Sequence, residues 1–276
     1  MSWCAVRIRS PGPARDAMAA WLVGRTGHAV EERDDGSLVG FAENETAGRA
    51  LVAGLQGAFG SSAAADLVEL PAVDWTERWR DGLGPRRVGR LTLTPSWVDS
   101  PDLPETTVVL DPETAFGSGE HGSTRSALVL LDRRLVPGSR LLDLGSGSGV
   151  LAIAAAKLGA LRATGIEVDP EALPVAERNA RRNGVQGSVG FLLGDAATLA
   201  PLLGPVEMVV SNIVPRVNVT LLPAIRATLV PGGVAVFAGM ELPEREEFRA
   251  DLAGAGFRPV DEAVDDGWWA VAASAG

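Results

Sequence analysis

From residue 105 onward, short apolar runs alternate with segments of helical length, and this alternation restricts the fold more than any other feature. Leu141-Leu142-Asp143-Leu144 reads as a buried strand, residues 151–158 as a helix, Ala163-Thr164-Gly165-Ile166 as the next strand and residues 170–183 as the next helix. Met208-Val209-Val210, Val234-Ala235-Val236-Phe237 and Trp268-Trp269-Ala270-Val271 continue the strand series. Strands separated by helices pair in parallel, because only a crossover returns the chain in the same direction. The expected fold class is therefore α/β, a doubly wound sheet with helices on its faces. Ligands of such sheets bind outside the carboxyl ends of the strands, where the strand order reverses.

The first seventy residues follow another order. Trp3-Cys4-Ala5-Val6-Arg7-Ile8 reads as a strand, and a helix is expected over 13–22, starting at Pro13. Ala29-Val30 leads through Asp34-Asp35-Gly36 into Leu38-Val39-Gly40-Phe41, a hairpin signal because Asp-Gly supplies the positive φ of a tight turn. Asn44 caps a helix over 45–59, and Leu67-Val68-Glu69-Leu70 makes the last strand. The order β-α-β-β-α-β is that of a small ferredoxin-like α+β domain. Three segments are expected: a substrate-recognition domain over 1–70, a linker over 71–104 and the α/β domain over 105–276. Within the linker Trp75 and Trp79 share a helical face, Gly82, Gly84, Pro85 and Arg86-Arg87 follow, and Trp97 comes after Thr94-Pro95-Ser96. These tryptophans read as core anchors or as ligand contacts.

Composition then excludes whole classes of function. A chain of 276 residues that is 46% hydrophobic and 22% charged buries a sizeable core and is not disordered. Its glycines and prolines follow no short period, which excludes a collagen-like or low-complexity chain. Cys4 is the single cysteine, so neither an internal disulfide nor a Cys-rich zinc site is available. His28 and His121 are the only histidines, and no transition-metal centre is expected. The start MSWCAVRIRS lacks the basic and apolar regions of a signal peptide, and no run reaches the roughly 18 apolar residues of a membrane span. A cytoplasmic location is expected, with no membrane partner. Twenty-five Lys and Arg against 35 Asp and Glu leave a net charge of −10. That sign disfavours nucleic acid and favours a basic protein partner, although it also serves plain solubility.

The segment richest in chemistry is Asp143-Leu144-Gly145-Ser146-Gly147-Ser148-Gly149, between a strand and a helix. Its glycines permit a tight turn and let a ligand approach the backbone. The dinucleotide fingerprint G-x-G-x-x-G would need glycine where the chain has Val150. Alternate glycines instead suit S-adenosylmethionine (SAM). Glu167, at the end of the second strand, is placed to accept hydrogen bonds from ribose hydroxyls, and Asp195 ends the third strand, where an adenine is met. Each acid alone could equally be a cap or a surface charge; together, in order and at strand ends, they favour a nucleotide-type cofactor. Asn212, in Ser211-Asn212-Ile213-Val214-Pro215, follows the fourth strand. It reads either as a turn former or as a carbonyl that accepts a hydrogen bond from an amine nucleophile.

Together these residues resemble the ribosomal protein L11 methyltransferases, and the likeness runs over nearly the whole chain. Asp74-Trp75, Trp79-Arg80, Arg87-Val88-Gly89 and Pro95-Ser96-Trp97 are similar to that family's linker. Leu110-Asp111-Pro112 and Ala115-Phe116-Gly117-Ser118-Gly119-Glu120-His121-Gly122-Ser123-Thr124 resemble its segment before the first cofactor-domain strand, which is more specific than the glycine turn. The resemblance implies that Phe116 and Gly117 help enclose SAM and that Thr124 touches it. It also implies that Gly145, Glu167 and Asn212 occupy SAM-contacting positions, with Gly147 and Asp195 beside them. The chain departs from the family at Glu120 and Gly122 (usually threonine and proline), at Ser146 (usually cysteine) and at Pro215-Arg216 (usually small residues).

The resemblance implies a SAM-dependent N-methyltransferase acting on lysine side chains or the N-terminal α-amine of ribosomal protein L11, and the chain is expected to work as a monomer. The nucleophile must be a neutral amine. Deprotonating lysine at pH 7 costs about 4–5 kcal/mol, against about 1 kcal/mol for an α-amine. No His–carboxylate pair offers a dedicated base, so the proton is expected to leave to water while Asn212 orients the amine. His121 is open to two roles, base or structural element of the loop. Two alternative functions stand beside this one: methylation of another protein or a small molecule, and non-catalytic SAM binding.

Overall fold

A computed structural model describes residues 4–9, 14–26, 30–32, 36–42, 44–60, 64–69, 84–98, 103–111 and 119–276. Trp3, Pro13, Ala29, Asp34, Asp35, Leu70, Trp75, Trp79, Phe116 and Gly117 lie outside the described residues. The chain separates by its internal contacts into two units, Met1–Gly82 and Leu83–Gly276.

In the smaller unit β1 (Cys4–Ile8), α1 (Arg15–Thr26), β2 (Glu31–Glu32), β3 (Leu38–Ala42), α2 (Glu45–Phe59) and β4 (Ala65–Glu69) follow in the expected order. The strands lie β2-β3-β1-β4 and every pair is antiparallel, the arrangement of a ferredoxin-like βαββαβ sheet. Alternate residues of the strands point one way, so Val6, Ile8, Leu38 and Ala65 meet Met18, Leu22 and Leu55 of the helices in one core. Helix α2 starts where Asn44 accepts the Ala47 N–H at 2.9 Å. Gly48 lets that helix lie close on the sheet, because a Cβ there would stand 2.5 Å from Leu67 Cδ1.

Residues 84–98, within the stretch expected to be a linker, are strands of the larger unit. β5 (Arg86–Val88) and β6 (Leu91–Thr94) pair antiparallel, and β6 pairs in parallel with β7 (Thr107–Val109). The reason is burial: Val88, Leu91, Leu93 and Val108 share a core with Leu128, Leu131 and Leu151. Asp111 clamps this small sheet, accepting the Ser96 N–H at 3.0 Å and hydroxyl at 2.8 Å and pairing with Arg182 at 2.7 Å. The family-like Pro95-Ser96-Trp97 and Leu110-Asp111 segments therefore meet each other.

The main sheet has seven strands: β8 (Arg140–Leu144), β9 (Arg162–Glu167), β10 (Val189–Leu193), β11 (Val206–Asn212), β12 (Leu229–Glu241), β13 (Phe257–Asp265) and β14 (Trp268–Ala275). Their order is β10-β9-β8-β11-β12-β14-β13; β10 to β12 in this order pair in parallel, and β14 is antiparallel to both its neighbours, β12 and β13. Helices α3 (Gly122–Arg134), α4 (Val150–Lys157) and α5 (Ala172–Arg182) pack with Leu141, Val210, Val236 and Ala272 on one face. Helices α6 (Ala196–Leu203), α7 (Pro215–Thr228) and α8 (Arg245–Gly254) pack with Leu142, Val209, Phe237 and Val271 on the other. Both faces are covered, which is why the strands read as continuous apolar runs. The sequence alternation does not persist to the end: β13, absent from the expected strands, forms a hairpin with β14. Its turn carries positive φ at Asp266 (49°) and Gly267 (78°), an Asp-Gly signal of the kind recognised near residue 35. Among the described residues no helix is long and apolar enough to cross a membrane.

Candidate functional site

Strand order reverses between β8 and β11, since the chain winds outward through β9 and β10 on one side and through β12 on the other. The carboxyl ends of β8, β9 and β11 therefore converge, and with them the glycine turn, Glu167 and Asn212. Gly145, Gly147 and Gly149 have φ of 70°, 49° and 81°, a left-handed run that only glycine follows without strain. The turn is held to β9 by the N–H groups of Gly145 and Ser146, which donate to Ile166 O at 2.8 and 3.2 Å. A Cβ on Gly145 would come within 2.9 Å of Ile213, so the turn lies directly against the loop that follows Asn212.

Glu167 is 9% exposed and its carboxylate organises the turn. Oε2 accepts the Gly147 N–H at 2.8 Å, and Oε1 accepts those of Val168 at 2.8 Å and Asp169 at 3.0 Å. Two carboxylate oxygens offer about four lone-pair sites, so Oε2 retains acceptor capacity for a ribose hydroxyl. Asp195 caps α6, accepting the Ala197 N–H at 3.2 Å and the Thr198 hydroxyl at 3.0 Å. The structure thus gives Asp195 the capping role while leaving it beside the end of β10.

Thr124 and Asn212, 88 residues apart, meet: Asn212 Nδ2 donates to Thr124 Oγ1 at 3.3 Å. That bond fixes the amide so that Oδ1 points elsewhere, and Asn212 Oδ1 is buried with no hydrogen-bond partner. Asp143 Oδ1 and Ser146 Oγ are buried and unpartnered as well. Unsatisfied buried oxygens are costly, and Ser146 Oγ and Asn212 Oδ1, at the carboxyl ends of β8 and β11, are placed to take donors from outside the chain. A SAM molecule, with its ammonium and ribose hydroxyls, carries donors of that kind. The residues present fit it.

Helix α3 is fastened at its first turn. His121 is the N-cap, with Nδ1 2.8 Å from Ser123 Oγ, and its ring lies 4.3 Å from that of Trp268 on β14. The structure thereby gives His121 a structural place in the loop. Arg125 makes a two-pronged pair with Asp265 at 2.6 and 2.9 Å and also donates to Glu120 O, while the Glu120 carboxylate pairs with Arg86 at 2.7 Å. The Arg125 guanidinium holds the Asp265 carboxyl below the ordinary carboxylate range. Sequence reading missed Trp268, Arg125 and Asp265 as parts of this site, and also Asp143 as more than a member of the glycine motif. Among the described residues no group of three or more His, Cys, Asp and Glu gathers as a metal would need.

Asp143 is wholly buried below the start of α4, where the N-cap Gly149 has no side chain. Asp143 Oδ2 takes over by accepting the Ala152 N–H at 3.1 Å. Burial pushes its carboxyl up to about 7; the Ala152 bond works against that shift and the nearby Glu167 charge adds to it. The native state therefore keeps a proton that the unfolded chain releases near pH 4. Stability from this group is complete below about pH 4 and is lost as pH rises to about 7. Asp143→Asn keeps an acceptor for Ala152 and cannot titrate. In urea unfolding across this window, the stability of the parent relative to the variant is expected to fall by up to about 1.4 kcal/mol per pH unit. A difference that stays level with pH would mean that Asp143 is ionised throughout.

Residues 24–275 match the model of the ribosomal protein L11 methyltransferase (PrmA) family. The ribosomal protein L11 methyltransferase of Thermus thermophilus is 43% identical over 197 residues, covering 71% of this chain and 75% of that protein. That of Aeromonas salmonicida is 31% identical over 287 residues and covers 97% of both. In three dimensions the chain resembles the crystal structure of ribosomal protein L11 methylase from Lactobacillus delbrueckii subsp. bulgaricus. The TM-score is 0.63 at 28% identity, over 70% of this chain and 98% of that one. With the family's sequence model matched over nearly the full length, and with Thr124, Glu167 and Asn212 gathered at one crevice, the conclusion is direct: the chain belongs to the ribosomal protein L11 methyltransferase family.

Proposed function

We propose that the protein methylates amino groups of ribosomal protein L11, on lysine side chains, the N-terminal α-amine or both, with SAM as donor. The observation that carries this reading is the buried, unpartnered Oδ1 of Asn212, its amide locked by Thr124 at the mouth of the crevice. SAM supplies, when bound, a methyl group on a sulfonium that an amine displaces in line. The chain's part is to place the two reactants and exclude water, and such positioning accounts for most of the catalysis available to a displacement. Glu167 and the glycine turn bind; Thr124 orients Asn212; and the Asn212 carbonyl accepts one amine N–H, aiming the nitrogen lone pair. A deprotonated lysine or α-amine has the N–H to give and the lone pair to use. The net charge of −10 suits a basic ribosomal protein as partner. Residues 1–70 serve as the recognition module in this reading, supported by their own fold and core and by the location of all the candidate site residues after residue 115. The cytoplasm, where ribosomal proteins are made, is the matching location.

The direct test is mass spectrometry of purified L11 after incubation with the protein and SAM. Added methyl groups on amines are the expected result, and an unmodified L11 at high enzyme concentration would refute the assignment. Removing residues 1–70 should leave SAM binding within about threefold and abolish methylation of folded L11; full activity of the shortened chain would move recognition to the larger unit.

Two single substitutions separate binding from turnover. Glu167→Ala removes an ionic acceptor, each such bond being worth roughly 1.5–3 kcal/mol at most, so calorimetry should show SAM affinity falling by about 10- to 100-fold. Unchanged affinity would mean that Glu167 only shapes the turn. Asn212→Ala should lower kcat by about 100-fold, the scale of a misplaced reactant, while the Kd for SAM moves by less than about threefold. Equal losses in both would assign Asn212 to cofactor binding alone.

A further inference from the structure

Asn212 can aim an amine only if its own backbone is fixed, and the groups that fix it come from a second asparagine six residues later. Asn218 lies in the first turns of α7 and is completely buried beside Leu221, Leu222 and Ile225. Its amide is fully used. Oδ1 accepts the Ser211 hydroxyl at 2.6 Å, and Nδ2 donates to Ile213 O at 2.8 Å and to Ala238 O at 3.0 Å. Ser211 and Ile213 are the chain neighbours of Asn212, and Ala238 is its partner in the β11–β12 ladder. The three hydrogen bonds of one side chain thus engage the Ser211 hydroxyl and the carbonyls of Ile213 and Ala238, the residues before, after and across from Asn212, and none engages Asn212 itself.

Nothing at the helix start does this in another way. Val214 is the N-cap of α7 and makes no side-chain cap bond, and Pro215 follows at the first helical position. The loop is backed on its other side by Gly239, whose φ is +87° and where a Cβ would stand 2.4 Å from Ile213 O. Residues 211–213 are therefore held between the Asn218 amide and the backbone of β12. What remains for Asn212 is side-chain rotation, and Thr124 removes that.

We infer that Asn218 is a positioning residue for methyl transfer: it holds the Asn212 backbone so that Oδ1 faces the acceptor amine. The inference rests on the role proposed for Asn212. Asn218 is completely buried and spends its hydrogen bonds within the chain, so its loss should appear in turnover and not in cofactor affinity.

The test is a double-mutant cycle in the full-length protein, with L11 as acceptor. Asn218→Leu fills a similar volume and removes all three bonds. It should lower kcat by about 10- to 100-fold and leave the KM and Kd for SAM within about threefold. In an Asn212→Ala background the same change should cost almost nothing further, because a residue that acts through Asn212 has nothing left to position. Should Asn218→Leu fail to fold, Ser211→Ala removes a single anchor, keeps the other two, and enters the same cycle with an expected loss of about 3- to 10-fold. Equal losses with and without Asn212, a parallel loss of SAM affinity, or an unaltered kcat would each overturn the inference. The reading of Asn212 fails separately, and takes this inference with it, if Asn212→Ala alone keeps the parent rate.

Discussion

Helices α4 and α7 leave neighbouring strands for opposite faces of the sheet, and the crevice between their first turns sets the terms for everything around it. The two departing loops run so close that a Cβ on Gly145 would meet the Ile213 side chain. Gly145 faces Ile213 at a distance where any side chain would collide, and Gly239 faces the Ile213 backbone still more closely. Both carry positive φ, so the glycines meet a steric and a conformational demand at once. Because backbone atoms line the crevice, the N–H groups of its turn are free to be organised by a carboxylate. Glu167 does this from the end of the adjacent strand. Binding at a switch point is thus a consequence of winding direction together with the small residues that the winding imposes.

The polar groups of the larger unit divide into two kinds. Asn179, Asn183 and Asn218 are buried and use both ends of their amides. Asn183 exchanges both bonds with Val109 and so pins β7 to α5, and Asn179 donates to Ser148 O at the glycine turn. Asp143 Oδ1, Ser146 Oγ and Asn212 Oδ1 are buried and have no partner. Leaving such atoms unpaired costs roughly 1–3 kcal/mol each, a sum that a marginally stable domain does not carry without reason. The saturated amides supply the rigidity that lets the unsaturated oxygens stay in place. A site preorganised in this way spends its stability before the ligands arrive.

What the sequence revealed of this arrangement was local. The Asp143 to Gly149 motif, Glu167, Asn212 and the Asn44-capped helix were all legible, because each depends on a few adjacent residues. β5 and β6 were read as linker since three or four residues give too short a period; only their burial against α3 and α4 identifies them. β13 was missed although Asp266-Gly267 marks its turn, because the expected alternation of strand and helix overrode the hairpin signal. Asn218 carries no signal of its own in the sequence. Its role depends on Ser211, Ile213 and Ala238 surrounding it, and the last of these belongs to another strand. Arg125 and Asp265, 140 residues apart, carry no signal in a single sequence.

The departures from the family's usual residues follow the same logic. Position 122 is the first residue of α3, where proline is well suited because its missing N–H would be unpaired anyway. In this chain a Cβ at 122 would stand 2.5 Å from Asp265 O and 2.8 Å from the Trp268 ring. The β13–β14 turn lies against the helix start, and glycine is what that approach leaves possible. The same approach brings Asp265 to Arg125 and Trp268 to His121. Glu120, beside them, turns its carboxylate to Arg86 on β5, an option that a threonine would lack. Gly122 and Glu120 therefore serve the same helix start, the glycine through the close approach of the β13–β14 turn and the carboxylate through its pair with β5. Thr124 lies in the same first turn of α3 and accepts the Asn212 amide N–H, so the fastening of the helix start also sets the bond that fixes that amide.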